Sequence, residues 1–233
     1  MLGFKLQINI LVAVQFPLGL DKLLIQYKRI LKTPGTVVLT ACPPFTTDLI
    51  NSNRKWCKYE IIWDKILVTN HANAKIMPMG KHENILIYYD KGKYNPQKRK
   101  IKPYNNKMRY NKNNNLGKFN DENIGCKSNG FGYPSSIIIF NNQKRSSMHS
   151  TQKPIALFEY LIKTYSDEND IVLDNTAGSG TTAIAAIRTN RNYILMEKEK
   201  EYYDIIIDRI EKEKDRTALF NNIVESEQME LSI

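Results

Sequence analysis

The stretch Ile171-Val-Leu-Asp-Asn-Thr-Ala-Gly-Ser-Gly-Thr-Thr-Ala-Ile-Ala-Ala186 constrains this chain more than any other. Ile171, Val172 and Leu173 form a short apolar run ending in Asp174. From Thr181 small and apolar residues recur at helical spacing, so the segment is predicted to run strand, glycine turn, helix. Gly178 and Gly180 can adopt φ > 0, and a helix opening at Thr181 presents its free N–H groups to whatever lies before it. Such a corner belongs to nucleotide-type binding folds, and side chains decide the ligand class.

A P-loop requires Lys and then Ser/Thr after its last glycine, and Thr181 stands where that Lys would be, which argues against a nucleoside triphosphate. Gly178-Ser-Gly-Thr-Thr-Ala183 fits the permissive dinucleotide pattern, with Glu197 closing the next strand-like run, Asn192 to Met196. S-adenosylmethionine (SAM) asks for the same turn, an acid at the end of the first strand near its cationic methionine end, and a second carboxylate for the ribose hydroxyls. Asp174 and Glu197 supply both. Without any ligand, the same glycines would serve only to let a helix and a strand pack closely.

With 233 residues and 42% hydrophobic content, the chain can bury the core of one α/β domain plus an insertion or small lobe. Lys and Arg total 34 against 24 Asp and Glu, and the resulting +10 favours a polyanionic partner. Cys42, Cys57 and Cys126 are odd in number and lack C-x-x-C spacing, which implies neither a disulfide framework nor a zinc site and suits a reducing cytoplasm. The apolar segment Leu6 to Leu20 is short for a membrane span and is interrupted by Gln7, Asn9, Gln15 and Pro17, so a buried strand and connector are expected there.

In chain order, strands are expected at Ile8 to Val14, Thr36 to Thr40, Tyr59 to Trp63 and Asn84 to Tyr89. Helices are expected at Asp21 to Leu31 and from Thr46, whose hydroxyl is a candidate cap. Between Asp90 and Asp121 there is no acidic residue, while Lys98, Arg99, Lys100, Lys102, Lys107 and Arg109 alternate with Tyr94, Tyr104, Tyr110 and Phe119. Basic side chains neutralise phosphates and aromatic rings stack on bases, so this insert is a candidate nucleic-acid contact; a solvated loop is the alternative. Phe131 to Phe140 reads as one strand. His149-Ser-Thr-Gln-Lys-Pro154 leads into a helix from Ile155 to Tyr165, with Leu157, Phe158, Leu161 and Ile162 as its buried stripe. An amphipathic helix is expected at Tyr202 to Ile210, and the charged remainder from Lys212 is expected to fray.

Taken together, three stretches resemble the SAM-dependent DNA amino-methyltransferases that modify adenine N6 or cytosine N4. They are His149-Ser-Thr-Gln-Lys-Pro154, Val172-Leu-Asp-Asn-Thr-Ala-Gly-Ser-Gly-Thr-Thr182, and Lys58-Tyr-Glu-Ile-Ile-Trp-Asp64 with Lys81-His-Glu-Asn84. Their order is similar to the circularly permuted group. The resemblance implies an α/β fold with a Rossmann-like methyltransferase sheet. It further implies a catalytic half over residues 1–90, a basic target-recognition insert over 91–130, a SAM-binding half over 131–211 and a charged tail over 212–233. It assigns Thr151, Lys153, Asp174, Thr176, Gly178, Gly180, Thr181 and Glu197 to the cofactor, the basic residues of the insert to double-stranded DNA, and no role to a metal or a membrane. His82-Glu83 resembles a stretch near the family's target pocket and is expected to be structural.

The family's catalytic signature is an Asp, Asn or Ser followed by Pro-Pro and an aromatic residue. Those residue types polarise an exocyclic amine, a poor nucleophile, and stack on a base swung out of the duplex. Cys42-Pro43-Pro44-Phe45 is the nearest string, but sulfur is a weak acceptor and its context places it one strand beyond the catalytic loop. Before the helix at Asp21 the chain offers only Gln15-Phe-Pro-Leu-Gly19, so a truncated or replaced N-terminus is expected. Methyl transfer to DNA, binding without turnover, and dinucleotide-dependent oxidoreduction are the three competing activities.

Overall fold

A computed structural model describes residues 8–13, 19–106, 126–142 and 152–230, with 8–13, 106, 126–127 and 219–230 described through the backbone alone. Two compact units emerge, one comprising residues 1–95 and 136–233 and the other residues 96–135.

In the larger unit, β-branched runs form the strands β1 (Ile8–Ala13), β2 (Val37–Ala41), β3 (Cys57–Thr69) and β4 (Gly80–Tyr88). Helices α1 (Leu20–Ile30) and α2 (Phe45–Ser52) follow β1 and β2 in turn. After the smaller unit come Ile137–Ile139, α3 (Ile155–Tyr165), Ile171–Asp174, α4 (Thr181–Arg188), Asn192–Leu195 and α5 (Lys200–Glu230). The smaller unit holds β5 (Arg99–Lys100), β6 (Tyr104–Asn106), β7 (Cys126–Ser128) and β8 (Phe131–Gly132), so the three later strands of the main sheet are β9, β10 and β11.

These strands form one sheet of order β11-β10-β1-β2-β4-β3-β9. β10 pairs in parallel with both β11 and β1, β1 in parallel with β2, and β4 runs antiparallel between β2 and β3. Side chains alternate between two covered faces, as period two demands. Val38, Ile85, Ile87 and Val172 pack under α3 and α4 with Leu157, Leu161, Ala185 and Ala186. Val37, Leu39, Leu86, Tyr88 and Leu173 pack on the opposite face under α1 and α2 with Leu24, Tyr27 and Leu49. β10 continues through α4 to β11 while β1 continues through α1 to β2, in opposite directions along the sheet. The pair β10/β1 is therefore the switch point, and its carboxyl edge is where such sheets open a crevice.

Several expectations change. The smaller unit begins at residue 96 rather than 91 because the preceding residues are tied to the main unit. Asn95 N–H donates to the Thr164 carbonyl at 2.7 Å and the Asn95 amide to the Ser166 carbonyl at 3.1 Å, while Lys93 pairs with Asp167 and Asp170. It ends at 135 because Ser136 already accepts the Ile62 N–H at 2.8 Å. The run Phe131 to Phe140 is accordingly split, Phe131–Gly132 pairing with β5 and Ile137–Ile139 with β3. Thr46 does not cap α2; its hydroxyl faces the buried Asn84 Oδ1 at 3.3 Å.

The segment after Lys212 does not fray, for α5 runs to Glu230. Glu213, buried against α4, takes a two-pronged contact from Arg188 at 2.8 and 2.9 Å, and the i,i+4 pair Lys212–Asp208 at 2.7 Å supports the helix outside.

Candidate SAM and DNA site

Asp174 ends β10 and is 4% exposed. Its carboxylate accepts the Thr182 hydroxyl at 2.5 Å and the Thr176 N–H at 3.0 Å, which binds the strand end to the first turn of α4. Among the described residues no cation pairs with it. Burial pushes its pKa up to about 6, the hydrogen bonds oppose the rise, and the negative charge of Glu197 adds to it.

The turn closes through Met196 N–H to the Asp174 carbonyl at 2.9 Å, Ala177 N–H to the Met196 carbonyl at 3.0 Å, and Gly180 N–H to the Ala177 carbonyl at 2.8 Å. Gly178 and Gly180 have φ of 53° and 80°, the left-handed region that glycine enters freely. At Gly180 a Cβ would stand 3.0 Å from Ile206 Cγ1 on α5, so this glycine serves helix packing as much as any ligand. Arg209, one turn further along α5, donates to the carbonyl and hydroxyl of Ser179.

Glu197 lies just beyond β11. Its Oε2 accepts the Gly178 N–H at 2.7 Å, and its Oε1 accepts the N–H groups of Lys198 at 2.8 Å and Glu199 at 3.0 Å. The two acids named from sequence thus flank one glycine turn. Thr181 donates its hydroxyl to the Lys153 carbonyl at 3.4 Å, bringing the segment before α3 onto the start of α4. Lys153 Nζ lies 3.3 Å from Glu83 Oε2, and the buried Lys65 Nζ lies 3.4 Å from Glu83 Oε1. Thr151 lies outside the described residues.

Sequence reasoning misses three contributors. Tyr27 of α1 donates to Asn175 Oδ1 at 2.9 Å across 148 residues, a pairing with no local signal. Thr182 is readable only as a helix residue. Glu83, expected to be structural, joins Lys65 on β3 to Lys153 beside the turn, a tertiary pairing with no local signal.

Cys42 to Phe45 follows β2, and β1 intervenes between β2 and β10, so this loop stands one strand away from the switch point. Burial and the neighbouring Glu83 both push the Cys42 thiol up, keeping it protonated and unsuited to accept a proton. The loop at the switch point is the one after β1, whose residues 14–18 lie outside the described residues.

In the smaller unit, Lys98, Arg99, Lys100 and Lys102 are exposed, as are Tyr104, Phe131 and Tyr133. Lys98 Nζ sits 5.0 Å from the centroid of the Tyr133 ring. Lys107 and Arg109 lie outside the described residues.

The sheet order, the glycine turn at the switch point and the paired acids define the Rossmann-like methyltransferase class. Among solved structures, the M1.HpyAVI–SAM complex superposes with a TM-score of 0.64 at 21% identity, covering 88% of this chain and 89% of that one. The PvuII DNA methyltransferase (cytosine-N4-specific) gives 0.60 at 14% identity, covering 91% and 84%. The chain belongs to the N6/N4 DNA methylase family, which matches residues 15–208. That membership displaces the oxidoreductase reading. Type II methyltransferase M.BglII of Bacillus subtilis is 32% identical over 165 residues, which are 66% of this chain and 42% of that protein. Orphan methyltransferase M.BamHII of Bacillus amyloliquefaciens is 36% identical over 141 residues, 58% of this chain and 51% of that one. The chain thus spans roughly half the length, or less, of these two curated relatives.

Proposed function

We propose that this chain binds SAM at the glycine turn and methylates an exocyclic amine in double-stranded DNA, adenine N6 in preference to cytosine N4. The preference for adenine rests on the family resemblance. The observation that carries the cofactor assignment is Asp174, a carboxylate 4% exposed with no cation partner among the described residues. A buried anion without a countercharge is costly, and a sulfonium ligand placed beside it would supply that countercharge.

Asp174 would face the cationic methionine end, Glu197 the ribose hydroxyls through its remaining lone pairs, and the N–H groups opening α4 the ligand carboxylate. Thr176, Gly178, Gly180 and Thr181 shape the turn, and Lys153, held by Glu83, positions the segment that covers it. When bound, SAM supplies an electrophilic methyl: its C–S bond breaks as the C–N bond to the base forms, and the amine releases a proton. The exposed Lys98, Arg99, Lys100 and Lys102 of the smaller unit are proposed to meet DNA phosphates. A DNA substrate of this kind would put the chain in the cytoplasm of a bacterial or phage-infected cell. Among the described residues no helix is long and apolar enough to cross a membrane.

The absence of an Asp/Asn/Ser-Pro-Pro-aromatic string favours a second reading, a protein that binds SAM and DNA without turnover. One experiment separates them. Calorimetric titration with SAM and incorporation of labelled methyl into unmethylated bacterial DNA are run together. Heat of binding with incorporation supports the enzyme, binding without incorporation supports the second reading, and no binding removes both.

A further inference from the structure

The hairpin joining β3 to β4 stands well beyond the sheet. Ala41, the last residue of β2, is level with Asn84, which is level with Ile62, yet β3 continues to Thr69. β9 and the residues after it accompany β3 through Asp64 and Lys65, so the free part, Ile66 to Thr69, is a finger of roughly 13 Å at ~3.3 Å per residue. β3 runs parallel to β1, β2 and β10, since β4 is antiparallel to both β2 and β3, so the finger projects from the same edge as the glycine turn.

Its tip is apolar and uncovered. Ile76 is 82% exposed, and Ile66, Leu67, Met77 and Met79 are each 40–52% exposed. Register breaks between Asp64 and Thr69, and Ile66 there takes φ of 64°, a rare conformation for a β-branched residue. Asp64 holds the break, accepting the Ile66 N–H at 2.8 Å and pairing with Lys81 at 3.1 Å. Side chains that would otherwise alternate along the strand are thereby turned to solvent.

No acid occurs between Asp64 and Glu83, whereas Lys65, His71, Lys75, Lys81 and His82 do. Lys65 and Lys81 are paired with those two flanking acids, and among the described residues no acid pairs with Lys75. An aliphatic tip carrying Lys75 suits a polyanion with an apolar interior, and duplex DNA has both. Aliphatic wedges of Ile, Leu or Met inserted between base steps are a general means of opening the stack. A base drawn out for chemistry leaves a gap that such a wedge can fill.

We infer that the β3–β4 finger, led by Ile76 and Met77, inserts into the base stack of duplex DNA at the gap left by an extruded base. The inference rests on the DNA reading of this same edge and names how the duplex is held open.

Fluorescence anisotropy of the full chain on a short duplex with one central abasic site, against the intact duplex, tests it without cofactor. The abasic duplex is expected to bind about tenfold tighter, the scale of one stacking contact. The double variant Ile76→Ser, Met77→Ser is expected to lose that preference while keeping its thermal unfolding midpoint and its affinity for intact DNA. Lys75→Gln is expected to weaken both duplexes alike. No abasic preference in the full chain overturns the inference. So does a preference retained by the double variant, or a full-chain dimer that the double variant converts to monomer. Failure of SAM binding in the parallel titration would instead remove the proposed function.

Discussion

Asp174 behaves as a titrating group whose folded and unfolded states disagree. Its pKa rises from 3.8 unfolded to about 6 folded, so between those values the folded chain holds a proton that the unfolded chain has released. Stability therefore falls as pH rises through that window and stays at the lower level above it. Asp174→Asn removes the ionisation, and we expect it to raise the unfolding free energy at neutral pH by up to about 3 kcal/mol, with little change near pH 4. Denaturant titrations at the two pH values measure the difference. The same substitution should abolish the pH dependence of SAM affinity, which in the unsubstituted chain is expected to weaken as pH falls below about 6 and the carboxylate is protonated. At this scale much of the site is legible in the sequence: an acid after an apolar run, two glycines one residue apart and an acid after the next run mark a turn through purely local spacing. Tyr27 with Asn175, and Glu83 with Lys153, are hidden because tertiary pairing across long stretches of chain leaves no periodic trace.

The helices that flank the turn set its shape. Gly180 is left-handed and its absent Cβ leaves room for Ile206, so Gly180→Ala carries both backbone strain and a clash at 3.0 Å. A loss of roughly 2–4 kcal/mol is expected by chemical denaturation, and in a double-mutant cycle Ile206→Ala, which removes the clashing Cγ1, should couple favourably with it and relieve only the steric part. Further along, Arg188 on α4 and Glu213 on α5 are joined by two hydrogen bonds that hold the Glu213 carboxyl down to about 2. A depressed carboxylate stabilises above its unfolded value of 4.5 and loses that contribution as pH falls toward 2. Glu213→Gln should therefore cost roughly 2 kcal/mol at neutral pH and close to nothing near pH 2, as read from thermal melts across pH. Most elements are legible from periodicity, since alternating or i,i+3/i+4 apolar residues face a core in either case. The continuation of α5 is not, because a charged run looks solvated until Arg188 is seen to hold Glu213 from another helix. The length of β3 escapes likewise, its last four residues, Ile66 to Thr69, lying on a finger with little core to pattern against.

Across the whole molecule, the glycine turn and the acid-free basic surface fall in different units. The sheet carries the acids and the glycine turn, and the smaller unit exposes Lys98, Arg99, Lys100 and Lys102 with no acid among its described residues. Replacing these four by Gln should leave SAM affinity unchanged. The slope of log affinity for DNA against log salt should become shallower by about one for each phosphate that is no longer neutralised, as measured by anisotropy at several salt concentrations.

The chain's order within its sheet also bears on how it is made. β1 is translated before both its neighbours, and one of them, β10, begins 163 residues later, Ile8 lying opposite Ile171. At ~5–20 residues per second a ribosome takes roughly 8–30 s to deliver that partner. Throughout the interval the nascent strand has an open edge beside β2, an invitation to pair with another chain. Yield of folded protein in a cell is then expected to depend on how well that edge is shielded until translation reaches the glycine turn.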